Sequence, residues 1–180
     1  GWGLESPRQY AADGWRVFAA CRDPAGARDL AAVEGDVSAE TLDVDDGPQV
    51  AALAKKLSGQ PIDVLINNAG IYGPQDLTRD NIDYDAWGRV FRTNAMSPLA
   101  VSAAFAANVA QGGQKKIITL SSRMGSIAEN DSGGEFIYRS SKAALNMVSK
   151  GLSKLFVITS WIVRKSTKQV FYVAAMVASG

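Results

Sequence analysis

Ile62-Asp63-Val64-Leu65-Ile66-Asn67-Asn68-Ala69-Gly70 is apolar at almost consecutive positions and then breaks into small and polar residues. Side chains alternate between faces along a strand, so consecutive apolar residues mean that both faces are covered. That is the pattern of a central parallel strand with helices on either side. Trp15-Arg16-Val17-Phe18-Ala19-Ala20-Cys21 and Lys116-Ile117-Ile118-Thr119-Leu120-Ser121 repeat it, and Glu40-Thr41-Leu42-Asp43-Val44 is a weaker, shorter version. Helix-length stretches separate these runs. Asp23-Pro24 and Gly47-Pro48 read as helix openings, the second leading into Gln49 to Leu57. A long stretch from Tyr84 to Val109 contains Pro98 and ends at Gly112-Gly113. Ser140 to Leu155 puts Ala143, Ala144, Met147, Val148 and Leu152 on one side of a helix. The alternation predicts an α/β fold: a doubly wound parallel sheet with right-handed crossovers, its ligand at the carboxyl ends of the strands.

The 180 residues, 47% hydrophobic, suit one domain. With 19 Lys+Arg against 18 Asp+Glu there is no global field for nucleic acid or an anionic membrane, so a small molecule is the expected partner. Histidine is absent, which removes Ser-His-Asp and Cys-His nucleophile systems and leaves no expected metal site. Proton chemistry must then use Tyr, Lys, Asp or Glu. The single Cys21 cannot close an intrachain disulfide, and a reducing, cytoplasmic setting is expected. The opening residues Gly1 to Glu5 read as no secretory leader. The most apolar tracts, Leu155 to Val163 and Val170 to Ala178, fall short of the ~18 residues of a bilayer span and read as strands or core helix.

Tyr138-Arg139-Ser140-Ser141-Lys142 carries the chemistry. Residues four apart share a helix face, so the Lys142 ammonium can sit beside the Tyr138 phenol, and a close positive charge favours the phenolate. Alone, the pair also fits an ordinary amphipathic surface. Two further clusters give it company. Asn67-Asn68-Ala69-Gly70 closes one buried strand and Ser121-Ser122-Arg123-Met124-Gly125 closes the next, so both fall on the ligand side of the expected sheet. Each reads separately as turn chemistry. Three such accidents in this order are a poorer explanation than one site.

On these motifs the chain resembles the short-chain dehydrogenase/reductase family, in particular its carbonyl-reductase-like or C-factor-like members. The resemblance runs from Gly1 to about Ser153 and implies a Rossmann-type sheet. It implies that Tyr138 is the general acid/base, that Lys142 lowers its pKa and binds the nicotinamide ribose, and that Ser122 orients the substrate carbonyl. Asn94 matches the fourth catalytic position. Pro98 lacks an N–H, so it cannot donate to the Asn94 carbonyl four residues back, and the family uses that carbonyl to hold a water that relays protons. Asn68, Ala69 and Gly70 would approach the cofactor. Asp43-Val44 resembles the pair that contacts adenine. Arg22, ending the second family strand, offers a donor fork for a 2′-phosphate and so implies NADP in preference to NAD; a solvated loop charge is its competing reading.

The match stops at both ends. Gly1-Trp2-Gly3 corresponds to the end of the family's glycine-rich phosphate turn, so the first strand is expected to be missing, with buried edges left unpaired at ~1–3 kcal/mol per orphaned group. The domain is therefore expected to be partial over 1–180, family-like over 1–153, with an atypical tail over 154–180 that is out of frame or rearranged. The separation of Ser122 and Tyr138 implies an extra loop around Glu129 to Glu135, which with Ile71 to Asp85 rims the pocket. The leading expectation is an NADP-dependent oxidoreductase interconverting a carbonyl and an alcohol on a small molecule. The alternative is a catalytically inactive fragment or paralogue acting as an interaction module. The long helices around Ala100 to Val109 and Ala143 to Leu152 would serve either reading as a homo-oligomer surface.

Overall fold

Val17, Ala19 and Cys21 face one side of the sheet while Phe18 and Ala20 face the other, and all five are buried. This is the double coverage that the consecutive apolar runs demand. The structure is a computed structural model that describes residues 2–75, 77, 80–155 and 169–173. Its strands are β1 (Arg16–Cys21), β2 (Val37–Thr41), β3 (Val64–Asn67), β4 (Lys116–Thr119) and β5 (Gln169–Val173), all parallel, in the order β2-β1-β5-β3-β4. The weak run at 40–44 is corrected. Its strand ends at Thr41, and Leu42 and Val44 instead turn into the core under one face of the sheet.

The expected gap at the missing first strand is also corrected. β5 lies between β1 and β3 and pairs with both, with Phe171 opposite Phe18 on one side and Leu65 on the other. It comes from the tail expected to be out of frame or rearranged, within the tract from Val170 to Ala178 read as strand or core helix. Val170-Phe171-Tyr172-Val173 is a β-branched and aromatic run, and its backbone satisfies groups on β1 and β3 that would otherwise be buried without partners. Of the other candidate tract, Leu155 ends a helix and 156–163 lie outside the described residues.

Helices cover both faces. α1 (Trp2–Ala12) and α2 (Arg28–Ala31) pack over Val17, Ala19, Val64 and Ile66 through residues such as Ala11 and Leu30. α3 (Gly47–Lys56), α5 (Ser97–Ala104) and α6 (Ala106–Gln111) cover Phe18, Ala20 and Leu65 with Leu53, Val101, Phe105 and Val109. α4 (Tyr84–Phe91) and α7 (Phe136–Leu155) pack together through Ala86, Val90 and Ile137. The Gly47-Pro48 opening holds: Asp46 caps α3 by accepting the Gln49 N–H. Asp23-Pro24 opens only a turn, in which the Asp23 carboxylate accepts the Gly26 N–H, and α2 begins at Arg28.

Two further helical expectations change. The stretch from Tyr84 to Val109 is broken by a π-helical turn at Arg92–Met96 and again at Phe105. The buried stripe of α7 is Ile137, Ser141, Lys142, Leu145 and Leu152, while Met147 is 73% exposed. Two polar residues displace the apolar stripe because Asn94 of the π turn binds Ser141 and the Leu120 carbonyl after β4 binds Lys142.

Phe171→Pro removes one N–H from a strand paired on both sides, so the cooperative thermal melt followed by circular dichroism is expected to be lost. An unchanged melt would mean that β1 and β3 do not depend on β5.

Candidate active site

Pro98 sits at the start of α5 and cannot donate to the Asn94 carbonyl, and the chain here adopts the π turn, with the Ser97 N–H donating to the Arg92 carbonyl five residues back. The turn aims Asn94 into the interior, where its residue is 0% exposed. Its Oδ1 accepts the Ile71 N–H at 2.8 Å, and its Nδ2 donates to the Ile71 carbonyl at 2.8 Å and to Ser141 Oγ at 3.0 Å. Ser141 Oγ in turn donates to the Tyr138 carbonyl at 2.7 Å. One side chain thus ties the loop after β3 to the helix that carries Tyr138. On the outer side of the same turn, Asp45 accepts from Thr93 Oγ1 at 2.5 Å and from Ser97 Oγ at 2.7 Å, which fixes the loop after β2 to it.

Tyr138 and Lys142 line a cavity of about 590 Å³ at the carboxyl edge of the sheet, together with Asn68, Gly70, Ile71, Tyr72, Leu120 and Ser121. Lys142 Nζ lies 5.7 Å from the centre of the Tyr138 ring and donates to the Leu120 carbonyl at 3.0 Å. The ammonium is therefore held by the end of the β4 segment and directed beside the phenol. Burial pushes the Lys142 pKa below its ordinary 10.5. Two glycines permit the packing. A Cβ on Gly70 would stand 3.3 Å from Asn94 Oδ1, and one on Gly125 would meet the Lys142 carbonyl carbon at 2.8 Å. Gly125 thus lets the 3₁₀ turn Arg123–Gly125 lie against α7.

The candidate serines separate. Ser121 lines the cavity, but its hydroxyl donates to Asn146 Oδ1 at 2.6 Å. Ser122 Oγ accepts the Met124 N–H at 3.2 Å, which orients it and leaves its own O–H available as a donor. Ala69 is buried in the core, and its neighbours Asn68 and Gly70 face the cavity. A second cavity, of about 230 Å³, is lined by Arg22, Asp43 and Val44, and by Leu42, Asp45, Ile71, Arg89, Arg92 and Thr93. Ile71 belongs to both cavities, so the Tyr138 group and the Arg22 group are brought to one edge. Gly3 lies in the first turn of α1, and Gly1 lies outside the described residues.

Sequence reasoning missed Tyr72. Its ring stacks on Tyr138 with centroids 4.2 Å apart and planes 14° apart, and its hydroxyl donates to Met124 Sδ at 3.5 Å. Desolvation, and then the Glu135 carboxylate, push the Tyr72 phenol above its ordinary value and keep it protonated. Its position directly after Asn67-Asn68-Ala69-Gly70-Ile71 was the available signal. Arg89, Arg92 and Asp45 gave none, because nothing in their spacing links them to Arg22.

Asn94→Ala strands the Ile71 N–H and carbonyl, and a loss of about 3 kcal/mol is expected in chemical denaturation. A loss below about 0.5 kcal/mol would refute the pinning role. Lys142 sets a pH dependence of the opposite kind. Its folded pKa is depressed, so the unfolded chain binds the proton more tightly and stability is expected to rise with pH between that lowered value and 10.5. Lys142→Met should flatten this rise in melts taken across the alkaline range.

The "short chain dehydrogenase" family profile matches residues 1–164. Among curated proteins, the C-signal protein of Myxococcus xanthus is 43% identical over 102 residues, covering 57% of this chain and 61% of that protein. The 1-hydroxy-2-glutathionyl-2-methyl-3-butene dehydrogenase of Rhodococcus is 36% identical over 143 residues, covering 78% and 60%. The chain thus spans about 60% of the length of these relatives. Among solved structures, the NADPH-bound carbonyl reductase from chicken fatty liver superposes with a TM-score of 0.74 at 30% identity, covering 97% of this chain and 73% of that one. A parallel sheet covered on both faces, a Tyr-Lys pair at its carboxyl edge and a profile match over most of the length lead to one conclusion: the chain belongs to the short chain dehydrogenase family.

Proposed function

We propose that the protein is an NADP-dependent oxidoreductase that interconverts a carbonyl and an alcohol on a small molecule, with Tyr138 as general acid/base. The observation that carries this is the placement of Tyr138 beside Lys142 in a cavity that shares Ile71 with a second, arginine-rimmed one. An extended dinucleotide fits that pairing of sites, and the close approach over Gly70, where a Cβ would press on Asn94 Oδ1, suits a ligand lying against backbone. The NADP complexes solved for a Pseudomonas aeruginosa carbonyl reductase, 28% identical with a TM-score of 0.73, favour the same cofactor.

In this reading Arg22 takes the 2′-phosphate, Asp43 and Val44 border the adenine, and the backbone of Asn68, Ala69 and Gly70 follows the ribose. Gly3, in the first turn of α1, and Gly1, which lies outside the described residues, serve the pyrophosphate. When bound, the cofactor supplies or accepts the hydride. The chain's own residues manage the proton. In reduction the Tyr138 hydroxyl gives its proton to the substrate oxygen, while the Lys142 ammonium, held by the Leu120 carbonyl, stabilises the phenolate that remains. Ser122 donates to the same oxygen and orients it. Asn94 holds Ile71 and α7 in register, and its carbonyl, denied a donor by Pro98, is the point from which a water returns the proton. Tyr72 covers one face of Tyr138 and limits its access to bulk water.

The same reading places the protein in the cytoplasm, consistent with one buried Cys21 whose thiol is held above its ordinary pKa by burial. It pairs the protein with a second copy through the outer faces of α5 and α7, where Leu99 and Met147 are exposed.

Reduction of simple aldehydes and ketones by NADPH, followed by nucleotide absorbance, tests the assignment. Tyr138→Phe is expected to lower kcat by about 10²–10⁴-fold while NADPH still quenches or shifts its fluorescence on binding. Full turnover by that variant would refute the acid/base role, and a preference for NADH would refute the role of Arg22.

A further inference from the structure

Around the second cavity, three guanidiniums face two carboxylates, yet the carboxylates are already engaged. Asp45 accepts from Thr93 and Ser97 through both oxygens, and Asp43 Oδ1 accepts the Asp45 N–H at 3.0 Å within its own turn. Arg89 and Arg92 differ. Among the described residues neither guanidinium makes an ion pair or a side-chain hydrogen bond, although Asp85 stands four residues before Arg89, a spacing at which a helical pair commonly forms. Arg89 and Arg92 are themselves three residues apart, so two like charges share one helix face, an arrangement that costs stability without an anion between them. Both line a cavity of only about 230 Å³ whose apolar surfaces come from Leu42, Val44 and Ile71. At that size a phosphate placed against Arg22 lies within direct or one-water reach of a second guanidinium.

We propose that Arg89, supported by Arg92, is a specificity-determining residue that grips the 2′-phosphate of the nucleotide from the helical side of the cavity, opposite Arg22. The inference rests on the cofactor reading above and extends it. A 2′-hydroxyl presents one neutral oxygen to this rim, whereas a 2′-phosphate presents a dianion with three acceptor oxygens, matched by forked donors from two elements. Selectivity then arises from two arms and survives partial loss of either.

Isothermal titration of the full chain with adenosine 2′,5′-bisphosphate and with 5′-AMP tests this without turnover. The wild-type protein is expected to prefer the bisphosphate. Arg89→Gln should lower its affinity for the bisphosphate about tenfold and leave 5′-AMP within about twofold. Arg89→Lys, which keeps the charge and loses the fork, should fall between. Thermal melts of the ligand-free protein should not fall in either variant, and Arg89→Gln should gain slightly from relief of the like-charge pair. An Arg89→Gln variant with wild-type preference overturns the proposal, as does equal weakening of both ligands, which would indicate contact with the adenine. If Arg22→Gln alone abolishes the preference while Arg89→Gln does not, the cofactor reading stands and Arg89 has no part in it. If the wild-type chain binds neither ligand, both readings fall.

Discussion

The two parallel ladders made by Gln169–Val173 hold the rest of the structure in place. A parallel sheet buried on both faces has no solvent to satisfy an unpaired edge, so a gap between β1 and β3 would expose two rows of backbone donors and acceptors to an apolar interior. β5 closes that gap. Its central position aligns the carboxyl ends of β1 and β3, from which Arg22 and Asn68 project into the two cavities. The site is therefore downstream of a backbone interaction in which no site residue takes part.

A second constraint acts at the edge itself. Asn94 satisfies both backbone groups of Ile71 and reaches Ser141, and Asp45 grips the same π turn from the loop after β2. Two loops and the helix that carries Tyr138 thus converge on residues 92–97. The π turn costs regular helical geometry, and here it delivers one buried amide and two hydroxyls in different directions from a single segment. Ile71, held by Asn94, is the wall common to both cavities, which couples the position of the Tyr138-Lys142 pair to that of the arginine rim.

Much of this was legible in the sequence for definable reasons. The runs at 15–21 and 62–67 announced β1 and β3 because double burial leaves no polar alternation to hide behind, whereas the run at 116–121, read as a third doubly covered strand, is corrected: β4 is an edge strand of alternating exposure, with Ile118 open on one face. Tyr138 and Lys142 were legible because a helix brings residues four apart together whatever surrounds it. Pro98 announced the local break near Asn94, although the choice of a π turn depended on Asp45, Ile71 and Ser141, which are distant in sequence. The face of α7 was misread for a related reason. Periodicity favoured Met147, whereas Lys142 and Ser141 are buried because Leu120 and Asn94 wait for them.

What the sequence by itself determined was the class of fold, the placing of Tyr138 and Lys142 on one helix face, and the elimination of histidine-based routes, since each follows from residue identity or from spacing within one element. What only the tertiary structure decided was the partner of each exposed strand edge, the pairing of Tyr72 with Tyr138, the division of labour between Ser121 and Ser122, and the meeting of Arg22 with Arg89 and Arg92. Those depend on contacts between segments tens of residues apart. Such contacts are selected by the joint requirement that every buried polar group find a partner and every apolar face be covered, a condition on the whole chain that no local window contains.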